Sequence, residues 1–199
     1  MNSIVLAGGK GGRLGRDKTL EKVGGHTMLQ RVIDCLTLIC DEIIVVIARG
    51  QAEPSVSAEA RVVVDLYPGK GSLGGIYTGL VASGSFHNLV VACDMPFLNP
   101  SILRYLMKVS PGFDVIIPRN REGRLEPLHA LYSRNCIDPI DQQLQQGGLK
   151  IDSFLGQVKV RYVEETETSE FDPQRLSFFN INTPADLEKA KAMLKEFKT

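Results

Sequence analysis

The sequence lacks an excess of charge of either sign, and this absence limits its partners. Lysine plus arginine equals aspartate plus glutamate, at 23 each among 199 residues. General nucleic-acid binding requires a basic field, which such a balance does not supply. We therefore expect no nucleic-acid partner, and any phosphate ligand has to be bound by local groups.

Cysteine and histidine are scarce, and neither shows a metal-ligand spacing. The cysteines at positions 35, 40, 93 and 136 form no C-x-x-C pair, so the sequence predicts reduced, mostly buried thiols rather than zinc ligands. The three histidines, His26, His87 and His129, are far apart. We expect neither a catalytic nor a metal-binding role for them.

The chain also has no long apolar run. The first run, residues 4–7, is short and follows no basic segment, and no other run approaches about 18 apolar residues. The sequence therefore predicts neither a signal peptide nor a membrane span, and it favours a cytoplasmic location. Low-complexity stretches and internal repeats are missing too. With 43% hydrophobic residues, residues 1–199 are predicted to form a single domain.

A glycine-dense basic loop stands directly behind that first apolar run. Residues 8–15 contain five glycines, and Arg13 and Lys18 supply positive charge. Glycine lets backbone N–H groups turn toward an anion, and lysine or arginine neutralises the remaining charge. The loop is typical of phosphate binding, and a flexible surface loop is the alternative.

Two familiar phosphate-binding motifs do not explain this loop. The ATPase pattern G-x-x-x-x-G-K-[ST] nearly matches residues 12–19, but Asp17 replaces its second glycine. The dinucleotide pattern G-x-G-x-x-G fails in the frame that starts at Gly9, because that frame ends at Leu14. Residues 69–74 do satisfy the dinucleotide pattern, but Leu66, Tyr67 and Pro68 stand between them and the preceding strand-like segment, so NAD-type binding is not expected there.

Strand-like and helix-like segments alternate between residues 3 and 117. Continuous β-branched runs, typical of strands covered on both faces, occur at residues 4–6, 43–47, 62–64, 89–92 and 115–117. Helical patterns occur at residues 28–38, 52–60, 73–82 and 101–107, and a capping box at residues 183–186 starts a C-terminal helix. This alternation predicts an α/β fold, a three-layer, doubly wound, mostly parallel sheet of Rossmann-like kind with a small antiparallel addition.

Two aspartates follow predicted strands of this sheet. Ligands of such sheets bind beyond the carboxyl ends of the strands, where Asp65 and Asp94 stand. A carboxylate that faces a phosphate loop is suited to hold Mg²⁺, so Asp94 is the candidate metal ligand. Asp65 either binds part of a nucleotide or serves only as a helix cap or turn residue.

Several segments together carry a resemblance to a known family. They are Leu-Ala-Gly-Gly at 6–9 with Arg13-Leu14-Gly15 and Asp17-Lys18, Gly-Ser-Leu-Gly-Gly-Ile at 71–76, Cys-Asp-Met-Pro-Phe at 93–97, Glu-Pro-Leu at 126–128 with Ala-Leu-Tyr at 130–132, and Phe-Asn-Ile-Asn-Thr-Pro at 179–184. With these segments the chain resembles the molybdenum cofactor guanylyltransferases from end to end. The resemblance implies a nucleotidyltransferase fold and a GTP- and Mg²⁺-dependent enzyme that joins GMP to molybdopterin carrying molybdenum and releases pyrophosphate. It also implies transient contact with other cofactor-biosynthesis proteins or recipient enzymes.

The resemblance, together with the chemistry of the motifs, assigns candidate roles to individual residues. Phosphoryl-type transfer depends mainly on alignment and charge stabilisation, for which Arg13, Lys18 and Asp94 are the candidate catalytic residues. The candidate nucleotide-binding residues are Leu6, Ala7, Gly8, Gly9, Lys18, Asp65, Gly74 and Asp94. Asn180 and Asn182 are expected near the pterin or the metal. The chain departs from the family at Leu14, where methionine is usual, and at Ala48-Arg49, where relatives often have asparagine.

Three questions stay open at the level of sequence. Asp65 could accept from N1–H and N2–H₂ of guanine, or it could hold the ribose. Gly9 after Gly8 favours GTP over CTP by resemblance only, so a CTP-dependent molybdopterin cytidylyltransferase, another small nucleotidyltransferase and a non-catalytic nucleotide-binding or partner-docking domain remain alternatives. A polar stretch follows the fifth predicted strand, and its charged residues are Arg119, Arg121, Arg124 and Glu126. It is either a solvated hairpin or an anion site for the pterin phosphate.

Overall fold

The computed structural model describes residues 1–8 and 21–196 of the chain. The strands in these ranges are β1 (Asn2–Leu6), β2 (Lys22–Val23), β3 (His26–Thr27), β4 (Ile43–Ile47), β5 (Ala60–Val64), β6 (His87–Ala92), β7 (Val115–Arg119), β8 (His129–Ser133) and β9 (Val160–Glu164). The α-helices are α1 (Met28–Leu36), α2 (Gly71–Ala82), α3 (Pro100–Lys108), α4 (Ile137–Gln145), α5 (Glu165–Thr168) and α6 (Pro184–Glu196).

Seven of these strands form one sheet in the order β5-β4-β1-β6-β8-β7-β9. β1 lies between β4 and β6 and is parallel to both, and β5 is parallel to β4 at one edge. β8 is antiparallel to both of its neighbours, and β9 is parallel to β7 at the other edge. The short strands β2 and β3 form a separate antiparallel pair. The predicted mostly parallel sheet with a small antiparallel addition is confirmed.

Helices cover both faces of the sheet, because alternate residues of each strand point to opposite faces. Val5 of β1 belongs to the apolar cluster that includes α1 and α3, whereas Ile4 belongs to the cluster that includes α2 and α4. In α1 the buried positions Val32, Ile33 and Leu36 lie on one face of the helix. Burial of each such side chain stabilises the fold by about 1.5–3 kcal/mol. The three-layer arrangement follows from this double coverage.

The prediction of a helix over residues 52–60 is wrong. Residues 52–57 have no regular secondary structure, and Ala60 begins β5, where it pairs with Ile43. Pro54 explains the error, because proline lacks an N–H group and disfavours helical conformation in the residue before it. The other predicted strands and helices of residues 3–117 are present, with ends that differ by a few residues.

The cysteines are free thiols, of which Cys93 and Cys136 are buried and Cys35 and Cys40 are partly buried. Burial raises the pKa of Cys35 and of Cys40 to about 11 and that of Cys136 to about 12. These three thiols therefore stay protonated at neutral pH and are poor nucleophiles.

Among the described residues, no helix has the length and apolar character needed to cross a membrane.

Candidate functional site

The carboxyl ends of four neighbouring parallel strands meet at one edge of the sheet. The amide of Ala7 donates to the carbonyl oxygen of Val46 at 2.9 Å, and the amide of Asp65 donates to that of Ile47 at 2.8 Å. On the other side of β1, the amide of Cys93 donates to the carbonyl oxygen of Leu6 at 3.1 Å. The residues that follow β1, β4, β5 and β6 are therefore adjacent, and Asp65 and Asp94 lie on opposite sides of Gly8.

A cavity of about 750 Å³ opens at this edge, on the side of β4 and β5. Its volume lies within the range of small-molecule sites. Its wall consists of the ends of three strands and the start of α2, and it includes Leu6, Gly8, Arg49, Asp65, Ser72 and Gly75. Three residues proposed from the sequence as nucleotide ligands, Leu6, Gly8 and Asp65, thus share one cavity.

Glycine shapes this cavity through close backbone contacts. A Cβ atom on Gly8 would lie 2.7 Å from the amide nitrogen of Ala48, so only glycine allows β1 and β4 to stay this close beyond their last pairs. A Cβ atom on Gly75 would lie 3.0 Å from Leu6 Cδ2, and one on Gly79 would overlap the side chain of Ile4. The start of α2 therefore lies directly against β1 beside the cavity.

Gly74 and Ala7, two further candidate nucleotide-binding residues, are not among the residues that line the cavity. Gly74 is buried, and a Cβ atom there would lie 3.0 Å from the carbonyl oxygen of Tyr67. It packs against the loop after β5 and is not among the residues that line the cavity. Ala7 is buried, and its carbonyl oxygen accepts a hydrogen bond from Gln51 Nε2 at 3.1 Å. Their nucleotide contacts stay predictions.

Two residues that follow β4 belong to the site but were not identified from the sequence. Gln51 connects two strand ends, because its Oε1 accepts from the amide of Ala48 at 3.1 Å while its Nε2 donates to Ala7. Arg49 is exposed and lines the cavity. The available signal was position alone, since both residues follow the second predicted strand, near the point where the sequence departs from the family that it resembles.

The side chain of Asp65 is held in place by the loop and helix that follow it. Its Oδ1 accepts from the amide of Tyr67 at 3.0 Å and from Thr78 Oγ1 at 2.9 Å. Tyr67 is itself anchored, because its hydroxyl donates to Asp141 on α4 at 2.5 Å. The turn interpretation of Asp65 is therefore correct in geometry, and the same residue also lines the cavity.

Asp94 follows β6 and is joined to a segment from the far end of the chain. Its carbonyl oxygen accepts from the amide of Ile181 at 2.9 Å. Ile181 is buried, whereas Asn180 is partly exposed and Asn182 is exposed, as expected for an alternating extended segment. Asn180 Nδ2 donates to the carbonyl oxygen of Phe178 at 3.2 Å. The structure thus brings Asp94, Asn180 and Asn182 together.

Asp94 is the candidate carboxylate ligand of Mg²⁺ at this edge of the sheet. Among the described residues, no group of three or more histidine, cysteine or acidic side chains could form a metal site made of protein alone. Mg²⁺ is commonly held by one or two carboxylates together with substrate phosphates. Asp94, a partly exposed aspartate at the same edge of the sheet as the cavity, suits that mode of binding, so the residues present fit the ion.

The polar stretch after β7 forms a hairpin with balanced charges. Arg119 and Leu125 form a bridge within the connection to β8. Arg119 pairs with Glu164, and Arg121 Nε lies 2.9 Å from Glu165 Oε1. The stretch is therefore a hairpin in which two of three arginines pair with glutamates, and an anion site for the pterin phosphate there stays a prediction. Desolvation raises the pKa of the partly buried Glu126, while the nearby Arg175 opposes that shift.

Gly9, Arg13 and Lys18, which the sequence assigns to phosphate binding and catalysis, lie outside the described residues. Their proposed roles stay predictions. The described part of the site therefore comprises the cavity, the two aspartates and the Asn180–Asn182 segment.

Comparison with known proteins gives concordant matches along most of the chain. A sequence profile described as the MobA-like NTP transferase domain matches residues 3–161. A probable molybdenum cofactor guanylyltransferase from Pelotomaculum thermopropionicum is 40% identical over 98% of this chain and 94% of the relative. A molybdenum cofactor guanylyltransferase from Desulfosudis oleivorans is 35% identical over 98% of this chain and 96% of the relative. The crystal structure of molybdopterin-guanine dinucleotide biosynthesis protein A from Archaeoglobus fulgidus is similar with a TM-score of 0.82 and 31% identity, covering 98% of this chain and 100% of that one.

Proposed function

Because the chain belongs to the MobA-like NTP transferase family, and is therefore a nucleotidyltransferase, we propose that it transfers GMP from GTP to the terminal phosphate of molybdopterin carrying molybdenum. The names of its relatives support both guanine as the base and the molybdenum cofactor as the product. Pyrophosphate is the second product.

The observation that carries this proposal is the position of the cavity relative to Asp94. The cavity lies at the ends of β4 and β5, whereas Asp94 follows β6, and β1 lies between them. A nucleotide with its nucleoside in the cavity directs its phosphates across Gly8, where the glycine-rich loop begins. The α-phosphate then faces Asp94 and the segment that contains Asn180 and Asn182, which we assign to the molybdopterin side.

The reaction requires alignment rather than covalent participation by the protein. An oxygen of the terminal molybdopterin phosphate attacks the α-phosphorus of GTP in line, the new phosphorus–oxygen bond forms, and the bond to the β-phosphate breaks. A general base is not needed, because a phosphate nucleophile is already anionic. Arg13, Lys18 and the loop amides stabilise the departing pyrophosphate.

Asp94 is the residue that would hold Mg²⁺, with Asn180 and Asn182 nearby. When bound, the ion supplies charge neutralisation of the triphosphate. The chain's own contribution is to fix the backbone at Asp94, whose carbonyl oxygen accepts from the amide of Ile181. A cytoplasmic location and transient contact with other cofactor-biosynthesis proteins or recipient enzymes remain predictions from the sequence.

The proposal is tested by supplying the purified protein with Mg²⁺, molybdopterin carrying molybdenum, and either GTP or CTP. We expect pyrophosphate release and a guanine dinucleotide product, identified by mass spectrometry, with GTP. Transfer with CTP but not with GTP would instead support the cytidylyltransferase alternative. Nucleotide binding without transfer of either nucleotide would support the non-catalytic alternative.

A further inference from the structure

We infer that Thr78 is a positioning residue that fixes Asp65 so that the carboxylate offers one oxygen to a ribose hydroxyl of the bound nucleotide. The inference deepens the proposed function and rests on it for the identity of the ligand. It rests on the described geometry for the arrangement of hydrogen bonds around Asp65.

The hydroxyl of Thr78 is buried and lies within hydrogen-bond distance of three groups. Its exposed fraction is 2%, and its Oγ1 accepts from the amide of Leu66 at 3.0 Å. It lies 2.9 Å from Asp65 Oδ1 and 2.9 Å from the carbonyl oxygen of Gly74. A hydroxyl has a single hydrogen to donate, and hydrogen bonds to charged acceptors are stronger than those to neutral ones. The geometry therefore favours donation to the Asp65 carboxylate.

Asp65 consequently uses its two oxygens differently. Oδ1 accepts from both Thr78 and the amide of Tyr67, which occupies its two lone pairs. No described residue donates to Oδ2, and Asp65 lines the cavity. Within the described part of the chain, one carboxylate oxygen is thus committed to the protein, and the other has no protein donor.

This division bears on which part of the nucleotide Asp65 binds. Guanine presents N1–H and N2–H₂ side by side, and a carboxylate reads this pair with both of its oxygens. Because Oδ1 is already saturated, Asp65 is poorly suited to that pairing. A ribose hydroxyl requires only one acceptor. Asp65 therefore holds the sugar, and selection of guanine must come from other groups of the cavity wall.

The test compares nucleotide analogues on the wild-type protein and three variants: Asp65→Asn, Thr78→Val and Thr78→Ser. Dissociation constants are measured by calorimetry for GTP, 2′-deoxy-GTP, 3′-deoxy-GTP and ITP, which lacks the 2-amino group. In the wild type we expect at least one deoxy analogue to bind about 10-fold more weakly than GTP, the value of one hydrogen bond to a charged group.

The dissociation constant of the deoxy analogue divided by that of GTP should fall to about 3 or less in Asp65→Asn and Thr78→Val. The reason is that the charge of Asp65 or its positioning is lost. Thr78→Ser keeps the hydroxyl and should keep the wild-type ratio. The ITP:GTP ratio should be the same in all four proteins. Since both ratios compare ligands on the same protein, a general loss of stability does not change them.

Three results would overturn the inference. They are equal binding of both deoxy analogues and GTP by the wild type, a change of the ITP:GTP ratio in Asp65→Asn, and retention of the wild-type deoxy ratio in Thr78→Val. If Thr78→Val does not fold, Thr78→Ala, which also removes the hydroxyl, takes its place with the same expected ratios. Binding of GTP with these ratios but without GMP transfer would refute the proposed function and leave this inference standing.

Discussion

The two sides of the site are built in different ways. The side on which we propose that the nucleoside binds, the nucleoside side, comprises the ends of β4 and β5 with α2, and glycines in close contact with β1 and β4 help to form it. Gly8 lies against Ala48, and Gly79 lies against Ile4. The side on which we propose that molybdopterin binds, the acceptor side, comprises β7, β8, β9 and residues 172–182, and its side chains bond to one another and to the backbone. The first side therefore depends on close contacts at glycines as well as on the hydrogen bonds of Gln51 and Thr78, whereas the second depends mainly on hydrogen bonds and ion pairs of its side chains.

The acceptor side shows its dependence on side chains in the loop that leads to Asn180. Asp172 accepts from the amides of Leu176 and Ser177 at 2.9 and 2.7 Å. Arg175 has a φ of 55°, which is unusual for a residue other than glycine, and it pairs with Glu165 and Glu126. These contacts hold the backbone in a conformation that the chain alone does not favour.

The difference indicates which substitutions each side tolerates. Adding atoms at its glycines should damage the nucleoside side, and removing polar atoms should damage either side. Asp94 lies between the two sides, so its loss should affect the reaction more than any change confined to one of them.

The largest effect is expected for Asp94→Asn. Loss of the carboxylate charge removes the candidate metal ligand, and turnover should fall by at least about 100-fold, as for the loss of a preorganised charge-stabilising group. Pyrophosphate release measures the effect. The matched control is Asp152→Asn, at an exposed aspartate in the 3₁₀ helix Ile151–Gln157. Turnover of Asp94→Asn within about 3-fold of the wild type would contradict the role of Asp94.

Gly79→Ala tests whether close packing supports the nucleoside side. The added Cβ atom would lie 2.9 Å from Ile4 Cγ1, so we expect the free energy of unfolding to fall by about 1–3 kcal/mol. Urea denaturation measures this change. Gly84→Ala is the control, because a Cβ atom there meets no atom within 4 Å. Equal stability of the two variants would show that the contact between α2 and β1 is not constrained.

Gln51→Ala tests the connection between the ends of β1 and β4. The variant loses the hydrogen bonds of Gln51 to Ala48 and Ala7, each with a net value of about 0.5–1.5 kcal/mol. We expect the KM for GTP to rise about 10-fold with a smaller change in kcat, because the cavity wall is displaced while Asp94 is not. Gln142→Ala, at an exposed position of α4, is the control. A change in kcat alone would contradict this assignment.

The smallest effect concerns the buried His129 on the acceptor side. Burial lowers the pKa of His129 to about 4, whereas the ring in the unfolded chain titrates near its ordinary value of 6.5. As the pH falls from 6.5 toward 4, the unfolded chain binds a proton that the folded protein does not, so the free energy of unfolding decreases. His129→Gln should reduce the slope of the unfolding free energy against pH in this range.

Thermal melts between pH 4 and pH 7 measure the slope for His129→Gln and for a control, Ser177→Ala. His129 Nε2 lies 2.7 Å from Ser177 Oγ. Loss of that hydroxyl should lower stability across the range without removing the titrating ring. An unchanged slope in His129→Gln would show that this histidine does not contribute to acid sensitivity.

Much of the fold could be predicted from the sequence because its parallel strands are buried on both faces. Such strands appear as continuous apolar runs, as in β4 and β6. No element was predicted between residues 133 and 182, where α4 and β9 lie. In α4, Pro139 stands in the first turn, where its missing N–H costs nothing. β9 is an edge strand with mixed burial, and so it lacks the continuous apolar pattern.

The candidate site was predictable where a residue type carries the chemistry. Asp65 and Asp94 were found because a carboxylate beyond a buried strand is a simple pattern. Gln51 and Thr78 were not found, because their importance depends on hydrogen bonds that arise only when separate segments meet. Sequence therefore indicates the groups that face a ligand more readily than the groups that position them.

A crystal structure with α,β-methylene-GTP and Mg²⁺ tests most directly whether the nucleoside and molybdopterin bind on different sides of the site. The analogue blocks GMP transfer. We expect the nucleoside in the cavity at the ends of β4 and β5, with a ribose hydroxyl bonded to Asp65 and the phosphates directed across Gly8 toward Asp94. A nucleoside bound instead beside Asn180 and Asn182 would contradict the account.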